Sequence, residues 1–249
     1  MSDALSDAGA ARRALDLLLE TDAPALRATL PPGFADAAER YVELLLEANA
    51  RLNLTRIVDP GEVARLHLLD SLSVLPLLDS LAPRRALDLG SGGGVPGIVL
   101  ALARPDVSWT LVDSARRKAD AMRGFVDALG LDNVAVIAER AEILGRDTAH
   151  REQFDLVAAR ACAPLPVLVE YALPLVRLGG ALVAWKGPID EGELAAGRMA
   201  AAQLGGGVEV LPTGVEALGD HQFVLSRKVD ATPDRYPRRP GQPAKRPLG

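Results

Sequence analysis

Five glycines stand among the eleven residues Leu87–Gly97, LDLGSGGGVPG, and make this stretch well suited to receive a ligand. Glycine allows a tight turn after a strand and lets a ligand come close to the backbone. Residues 92–97 satisfy G-x-G-x-x-G, the pattern of dinucleotide-binding loops, but a lone match of this kind has low specificity. The glycines alone leave a dinucleotide, a phosphate and a ligand without phosphate all open.

The residues that frame the glycines favour a ligand without phosphate. Asp88 stands directly before them, and a carboxylate there would repel a pyrophosphate at the N-terminus of the next helix. It would attract ammonium and sulfonium groups, and S-adenosylmethionine carries both. The frame D-x-G-x-G-x-G, with Gly90 and Gly92 at alternate positions, resembles the first motif of class I, Rossmann-like methyltransferases. The sequence therefore predicts S-adenosylmethionine as the cofactor.

A second acidic position agrees with this cofactor. Leu111-Val112-Asp113 ends the next predicted strand with a carboxylate that can accept both ribose hydroxyls of an adenosyl group. An acid at this point also serves NAD enzymes. An NAD-dependent oxidoreductase therefore stays open as an alternative.

Other residue types that could do chemistry form no recognisable nucleophile, general base or metal site. The histidines at 67, 150 and 221 make no metal-spaced pair, and the single cysteine excludes an intrachain disulfide. Cys162 follows Ala161 rather than a proline, so we interpret it as a small buried residue. Guanine N7 fits such a site, because its lone pair carries no proton and needs mainly alignment with the donor. Other acceptors without a proton to lose meet the same criterion.

Strand-like and helical runs alternate from Arg85 onward, which predicts how the ligand residues are positioned. This alternation is typical of a mainly parallel sheet, in which ligands gather at the carboxyl ends of the strands. The last two strands are separated only by residues 213–220, which predicts an antiparallel final strand. The predicted strands are 86–89, 109–112, 134–137, 154–158, 181–185, 208–211 and 223–227. The predicted helices are 96–103, 114–129, 141–144, 165–176 and 191–204.

The expected fold class is α/β, with a seven-stranded Rossmann-like methyltransferase sheet preceded by an N-terminal helical extension. We expect the helical region at 1–83, the cofactor-binding domain at 84–229 and a basic, proline-rich arm at 230–249. Within the helical region, apolar residues over 34–52 form one stripe, and Asp59 before a proline predicts a helix N-cap. The arm could form no core of its own, so we expect it to be extended unless something docks it.

Composition places the chain among ordinary globular proteins, with 49% hydrophobic residues, 24% charged residues and a net charge of −5. The sequence begins with no signal-peptide pattern, and no apolar run approaches the roughly 18–20 residues that span a bilayer. We therefore expect no membrane partner, a cytoplasmic location and a monomer. The net charge does not exclude a local basic patch that binds RNA.

Several segments spread over residues 40–249 carry a more specific signal. They read NLTRIVDPGEVARLHLLDSL, LDLGSGGGVPGIVLALARPD, LVDSARRKADAMR, FDLVAARACAPL and WKG, followed by the closing YPRR. Together these segments resemble the bacterial small-subunit ribosomal RNA methyltransferase G family. The chain departs from the family's pattern at Leu66, where many members have arginine before the histidine, and at Cys162, where an apolar residue is common.

The resemblance implies methylation of guanine N7 in 16S ribosomal RNA, with the RNA or the small ribosomal subunit as partner. It implies that Ala141 and Glu142 flank the adenine and that Arg160 closes the cofactor pocket. With the two acidic motifs, the expected cofactor residues are Asp88, Gly90, Gly92, Val95, Asp113, Ala141, Glu142 and Arg160. The candidates for a catalytic role are His67, Arg160 and Lys186. The candidates for RNA contact are Arg117, Lys118, Lys186, Arg238 and Arg239.

Each of these roles has a structural alternative. His67 fits a purely structural role as well as contact with the target base, and Arg160 could form a surface ion pair. Arg117 and Lys118 could belong to a solvated helix face. At the level of function, the alternative is a module that binds S-adenosylmethionine or a nucleotide, together with RNA, and does no chemistry.

Overall fold

The computed structural model describes residues 2–249, and this range contains one seven-stranded sheet. Its strands are β1 (Arg85–Leu89), β2 (Ser108–Val112), β3 (Val134–Ile137), β4 (Phe154–Arg160), β5 (Val176–Lys186), β6 (Gly206–Pro212) and β7 (Gln222–Lys228). They lie in the order β3-β2-β1-β4-β5-β7-β6. Strands β1 to β5 pair in parallel, whereas β7 is antiparallel to both β5 and β6. The predicted Rossmann-like sheet with an antiparallel final strand is confirmed.

Helices precede the sheet and cover both of its faces. Those before the sheet are α1 (Ser2–Thr21), α2 (Pro24–Arg27), α3 (Phe34–Leu52), α4 (Pro60–Glu62), a π-helix (Val63–Leu69), α5 (Asp70–Leu72) and α6 (Leu75–Leu81). The later ones are α7 (Gly97–Ala103), α8 (Arg116–Leu129), α9 (Ala141–Leu144), α10 (Leu165–Ala172), α11 (Glu191–Gln203), a 3-10 turn (Glu216–Leu218) and α12 (Gln242–Lys245). None of the helices in residues 2–249 is long and apolar enough to cross a membrane.

The sheet is buried on both faces because neighbouring residues of each strand point in opposite directions. Ala86 of β1 belongs to the apolar cluster that includes Tyr41 and Leu45 of α3. The next residue, Leu87, belongs to the cluster on the other face, which includes Leu168 of α10. Apolar layers on both sides are typical of parallel sheets and explain why the strands read as continuous apolar runs.

Helix α3 supports the glycine loop directly. Its predicted apolar stripe is buried as far as Ala48, and Leu52 is half-buried. Tyr41 of this stripe donates a hydrogen bond of 2.9 Å from its hydroxyl to the Gly93 carbonyl. A Cβ at Gly93 would lie 2.7 Å from Leu45 Cδ1, so α3 lies in close contact with the loop backbone. The N-terminal helices are therefore one wall of the region around the glycines.

The helical segment after Asp59 begins as predicted and then departs from α-helical geometry. Asp59 caps α4, since its Oδ1 accepts a 3.0 Å hydrogen bond from the Glu62 N–H. The π-helix follows, although the sequence pattern predicted ordinary α-helix there. Wider π-helical turns occur often at functional sites. This one carries His67, and both His67 and the following Asp70 are buried.

Residues 230–249 are docked on the domain rather than extended into solvent. Tyr236 is only 6% exposed and joins the apolar cluster of α10. Charged side chains of the domain bind the backbone N–H and carbonyl groups of this segment. These contacts compensate for the low apolar content, which is why composition alone indicated an extended arm.

Gly97, the first residue of α7, leaves no room for a side chain, and we predict that Gly97→Ala is destabilising. A Cβ there would lie 2.2 Å from Leu111 Cδ2 and 2.7 Å from Asp88 Oδ2. Overpacking of this kind lowers the free energy of unfolding by about 1–3 kcal/mol, which urea denaturation would measure.

The matched control is Gly124→Ala in α8, where a Cβ would meet no atom within 4 Å. Alanine favours the helix, so this variant should be more stable by about 0.5–1 kcal/mol. Equal stability changes for the two variants would contradict the described packing of α7 on the sheet.

Candidate active site

Within residues 2–249, the candidate site consists of three adjoining cavities at the carboxyl ends of the parallel strands. The Asp113 cavity, of about 190 Å³, is lined by Gly90, Asp113 and Glu142 among others. The glycine-loop cavity, of about 160 Å³, lies between Gly90 and Arg160. The Trp185 cavity, of about 500 Å³, lies between Arg160 and Trp185. Gly90 lines both the Asp113 and the glycine-loop cavities, and Arg160 lines both the glycine-loop and the Trp185 cavities. The cavities therefore follow one another along the sheet edge.

The glycine loop leaves open space for a ligand. Gly90, Gly92 and Gly94 have φ values of 76°, 60° and 98°, which L side chains rarely adopt. A Cβ at Gly92 would meet only the Gly90 carbonyl oxygen, at 3.9 Å. Val95 lines the same cavity and is 9% exposed. The loop therefore offers backbone surface to a ligand in the glycine-loop cavity.

Asp113 directly follows β2, binds the glycine loop and lines the Asp113 cavity. Its Oδ2 accepts a 3.0 Å hydrogen bond from the Gly92 N–H, and its Oδ1 accepts one of 2.8 Å from the Ala115 N–H. Each carboxylate oxygen has a further lone pair. Asp113 is thus oriented by backbone donors and still able to accept two hydroxyl groups, which fits the ribose of an adenosyl ligand.

Asp88 lies beneath the loop instead of facing a cavity. It has no exposed surface, and its Oδ2 accepts a 3.0 Å hydrogen bond from the Gly97 N–H. Its Oδ1 has no hydrogen-bond partner among the described residues, and burial raises the pKa of Asp88 to about 6. Direct contact of Asp88 with a cationic ligand, as the sequence suggested, is not what this geometry provides. The N–H of Gly97, the first residue of α7, holds the Asp88 carboxylate beneath the loop and away from the cavities.

Ala141 and Glu142 line the far side of the Asp113 cavity. Glu142 is buried, and its Oε1 accepts hydrogen bonds of 2.8 Å from Arg140 Nη2 and from the Gly241 N–H. Burial alone would raise the pKa of Glu142, but these hydrogen bonds outweigh it and hold the pKa below its ordinary value. The carboxylate stays ionised and fixed in this wall.

Arg160 at the end of β4 binds the N-terminal helical region. Its Nη1 donates to the Leu66 carbonyl and, at 3.1 Å, to Asp70 Oδ2. Its Nη2 lies 3.2 Å from His67 Nδ1. The next residue, Ala161, has a left-handed φ of 51°, a strained conformation that clusters at functional sites. Arg160 thus lines the glycine-loop and Trp185 cavities while being held by three groups of the helices. That it closes a cofactor pocket, as the resemblance implies, stays a prediction.

His67 is neutral and oriented. Burial, aided by the positive charge of Arg160, lowers the pKa of His67 to about 4. Since Nδ1 faces the guanidinium donor, we assign the proton to Nε2, which donates to Thr55 Oγ1 at 2.9 Å. Thr55 Oγ1 also accepts a hydrogen bond from the Ile57 N–H, so the hydroxyl hydrogen of Thr55 remains for a ligand.

Asp70 connects the helices to the wall of the Trp185 cavity. Its Oδ1 lies 3.0 Å from His221 Nδ1, and its backbone carbonyl accepts a 2.8 Å hydrogen bond from Trp185 Nε1. Sequence reasoning assigned no site role to His221 or Thr55. His221 is a lone histidine before β7 and carries no sequence signal. Thr55 lies inside the NLT segment, which was the only available indication.

The candidate Lys186 lines the Trp185 cavity, and so does Cys162, which was expected to be buried but is half-buried. Lys186 lies at the end of β5, and its Nζ donates hydrogen bonds of 2.7 Å to Glu193 Oε1 and 3.2 Å to the Ala163 carbonyl. Cys162 is half-buried, and burial raises the pKa of its thiol to about 11. The thiol therefore stays protonated near neutral pH and is a poor nucleophile.

The candidate RNA contacts differ in exposure. Arg117 near the start of α8 is exposed and Lys118 half-buried. Arg239 is exposed, whereas the guanidinium of Arg238 is engaged by the buried Glu170. Contact of these side chains with RNA stays a prediction.

The sheet order, the glycine turn and the acid directly after β2 define a Rossmann-like methyltransferase. An O-methyltransferase from Bacillus cereus in complex with SAH has a TM-score of 0.53 at 21% identity and covers 76% of this chain and 90% of its own. The mitomycin 7-O-methyltransferase has a TM-score of 0.54 at 16% identity and covers 76% of this chain and 60% of its own. These similarities concern the fold alone.

Sequence comparison identifies the family. The model of the family described as rRNA small subunit methyltransferase G matches residues 35–222. A protein of that name from Moorella thermoacetica is 42% identical, covering 88% of this chain and 92% of its own. Another, from Deinococcus deserti, is 46% identical and covers 82% and 85%. The chain belongs to the rRNA small subunit methyltransferase G family.

The buried position of Asp88 predicts a specific pH dependence. The pKa of Asp88 is about 6 in the folded protein against an ordinary value of 3.8, so the folded state binds this proton more tightly. Ionisation of Asp88 therefore lowers stability as the pH rises from about 4 to about 6. We predict that Asp88→Asn, which cannot ionise, gains roughly 2–3 kcal/mol relative to the wild type over this range. Urea unfolding of both proteins between about pH 4.5 and 7.5 measures it, and a constant difference would contradict it.

Proposed function

We propose that this chain transfers the methyl group of S-adenosylmethionine to N7 of a guanine in 16S ribosomal RNA. Family membership supports the small-subunit rRNA as substrate. The observation that carries the proposal is the shared wall at Arg160, where the glycine-loop cavity adjoins the larger Trp185 cavity. A methyl donor in the glycine-loop cavity and a guanine in the Trp185 cavity would meet at this wall.

The residues around the Asp113 and glycine-loop cavities fit the cofactor, which would supply a methyl group on a positively charged sulfur. Asp113 would accept hydrogen bonds from the ribose hydroxyls, and Ala141 and Glu142 would flank the adenine. The Arg160 guanidinium and the Thr55 hydroxyl would bind the methionine carboxylate. Gly90, Gly92 and Val95 would border the methionine chain, with Asp88 adding negative potential from beneath the loop.

The proposed acceptor atom is N7, which fits a site where two of the described residues, His67 and Cys162, are not available as a base or nucleophile. The ring nitrogens of His67 are both engaged, by Arg160 and Thr55, and the Cys162 thiol holds its proton. A guanine N7 needs no base, since its lone pair attacks the methyl group without losing a proton. Alignment of the two reactants is then the main requirement.

Asp70 supports the same acceptor through its charge. Methylation at N7 leaves the guanine positively charged, and the Asp70 carboxylate lines the Trp185 cavity where this charge would develop. A carboxylate held in place by Arg160 and His221 stabilises such a charge without reorganising.

The proposed RNA contacts are the basic side chains near this edge of the sheet. Lys186 would contact the guanine or a phosphate, and Arg117, Lys118 and Arg239 would contact phosphates. The Arg238 guanidinium is engaged by Glu170 instead. In this proposal residues 1–83 and 84–229 build the pocket together, and 230–249 lie across the domain. The substrate is the 16S RNA or the small subunit, and the protein acts in the cytoplasm as a monomer.

The proposed reaction predicts one N7-methylguanine in 16S rRNA that depends on this protein. Borohydride and aniline cleavage maps such bases, because N7 methylation makes the glycosidic bond labile. Cells without the gene should lose one cleavage site, and the wild-type gene should restore it. Arg160→Ala should fail to restore it, because the wall between the two cavities is lost. An identical cleavage pattern with and without the gene would contradict the proposal.

The role of Asp70 predicts a loss of rate rather than of cofactor affinity. Asp70→Asn keeps the side-chain shape but removes the charge, so kcat should fall about 10- to 100-fold while the Kd for S-adenosylhomocysteine changes little. The control is Asp79→Asn, which removes the charge of an exposed carboxylate paired with Arg104 and should leave kcat unchanged. Equal kcat values for Asp70→Asn and the wild type would contradict the role.

A further inference from the structure

Glutamates of the domain hold the backbone of the C-terminal segment, residues 230–249. In the described chain, each of three glutamates accepts a hydrogen bond from one backbone N–H of this segment. The pairs are Glu152 with Thr232 at 3.0 Å, Glu170 with Arg238 at 2.8 Å, and Glu142 with Gly241 at 2.8 Å. A carboxylate binds a backbone N–H more strongly than a neutral acceptor does. The segment is therefore attached at points spread along its length.

Arginines of the domain bind the carbonyl groups of the same segment. Arg146 donates to the Pro237 and Arg235 carbonyls at 2.7 and 2.9 Å. Arg151 donates to the Tyr236 and Thr232 carbonyls at 2.8 and 2.7 Å. Donors and acceptors of the segment are thus both bound by charged side chains, which gives it a defined path over the domain.

The central attachment is the pair of Arg238 and Glu170. Glu170 of α10 is fully buried, and its carboxylate accepts hydrogen bonds from Arg238 Nε at 2.9 Å and Arg238 Nη2 at 2.5 Å. The fork geometry of this pair fixes the guanidinium in direction as well as in distance. Arg238 lies three residues before Gly241, so the two attachments hold neighbouring points of the same short stretch of chain.

The last attachment lies in the wall of the Asp113 cavity. Glu142 lines this cavity and accepts the Gly241 N–H at the same time. Its other hydrogen bond comes from Arg140, which is an exposed residue. The Gly241 N–H is therefore the donor that joins Glu142 to the C-terminal segment.

We propose that the C-terminal segment is a positioning element of the cofactor site, with Arg238 as the residue that anchors it. Arg238 acts through Glu170 to place the Gly241 N–H, which holds Glu142 in the wall of the Asp113 cavity. The proposal rests on the proposed function, because that function assigns this cavity to the adenosyl group. It gives Arg238 a role in cofactor binding that does not require RNA.

Calorimetry with S-adenosylhomocysteine on the full-length protein, without RNA, tests the proposal. We expect the Kd to rise about tenfold in Arg238→Lys, which keeps the charge but loses the fork geometry. The control Lys245→Ala removes a charge from an exposed side chain of the same segment and should leave the Kd within twofold. A wild-type Kd in Arg238→Lys would overturn the proposal.

A double variant separates loss of the anchor from loss of folding. Glu170→Met with Arg238→Met removes both charges, so no buried carboxylate is left without a partner. If this variant melts cooperatively and its Kd also rises about tenfold, the anchor is supported. A folded double variant with the wild-type Kd would overturn it.

Hydrogen exchange in the wild-type protein gives a test without substitutions. Addition of S-adenosylhomocysteine should slow amide exchange in residues 239–243 as well as in residues 139–145, because Gly241 and Glu142 are bonded. Protection confined to 139–145 would overturn the proposal. If instead the wild type binds NADH and not S-adenosylhomocysteine, the proposed function itself fails, so the two failures are distinguishable.

Discussion

Arg160, at the end of β4, binds the Leu66 carbonyl, the Asp70 carboxylate and the His67 ring at once. A buried ion pair adds little net stability, because loss of hydration offsets the attraction between the charges. It does restrict geometry, since any shift of the π-helix would leave a charge without its partner. The position of the N-terminal helices against the strand ends therefore depends on this guanidinium, and with it the wall shared by two cavities.

The glycine loop depends on the same docking from the opposite side. Tyr41 of α3 binds the Gly93 carbonyl, and Asp88 binds the Gly97 N–H from within the domain. The loop backbone is thus held between a helix that precedes the sheet and the first strand of the sheet. A loop fixed from both sides keeps its surface around Gly92 free for a ligand and loses little further entropy on binding.

The parts of the site at strand ends could be predicted from sequence, because parallel strands end at one edge and their order follows from alternation with helices. Asp113, Arg160 and Lys186 belong to this group. The direction of the Asp88 carboxylate could not be predicted, since the Gly97 N–H competes with the cavity for it. His221 lies in a loop without periodicity and reaches Asp70 across 151 positions of sequence. Docking of residues 230–249 depends on scattered glutamates and arginines, which leave no local pattern.

The same guanidinium that orders the site also contributes to its charge. Burial, aided by the charge of Arg160, lowers the pKa of His67, so the imidazole remains neutral and adds no positive charge beside the proposed sulfonium donor. The charge of Arg160 is in turn balanced by Asp70, which leaves a carboxylate at the edge of the Trp185 cavity. In the proposed transfer, positive charge passes from the sulfonium donor to the guanine. A neutral His67 on the donor side of Arg160 and a carboxylate on the guanine side both suit this change. The geometry and the electrostatics of the proposed transfer therefore have one origin, the contacts between β4 and the π-helix.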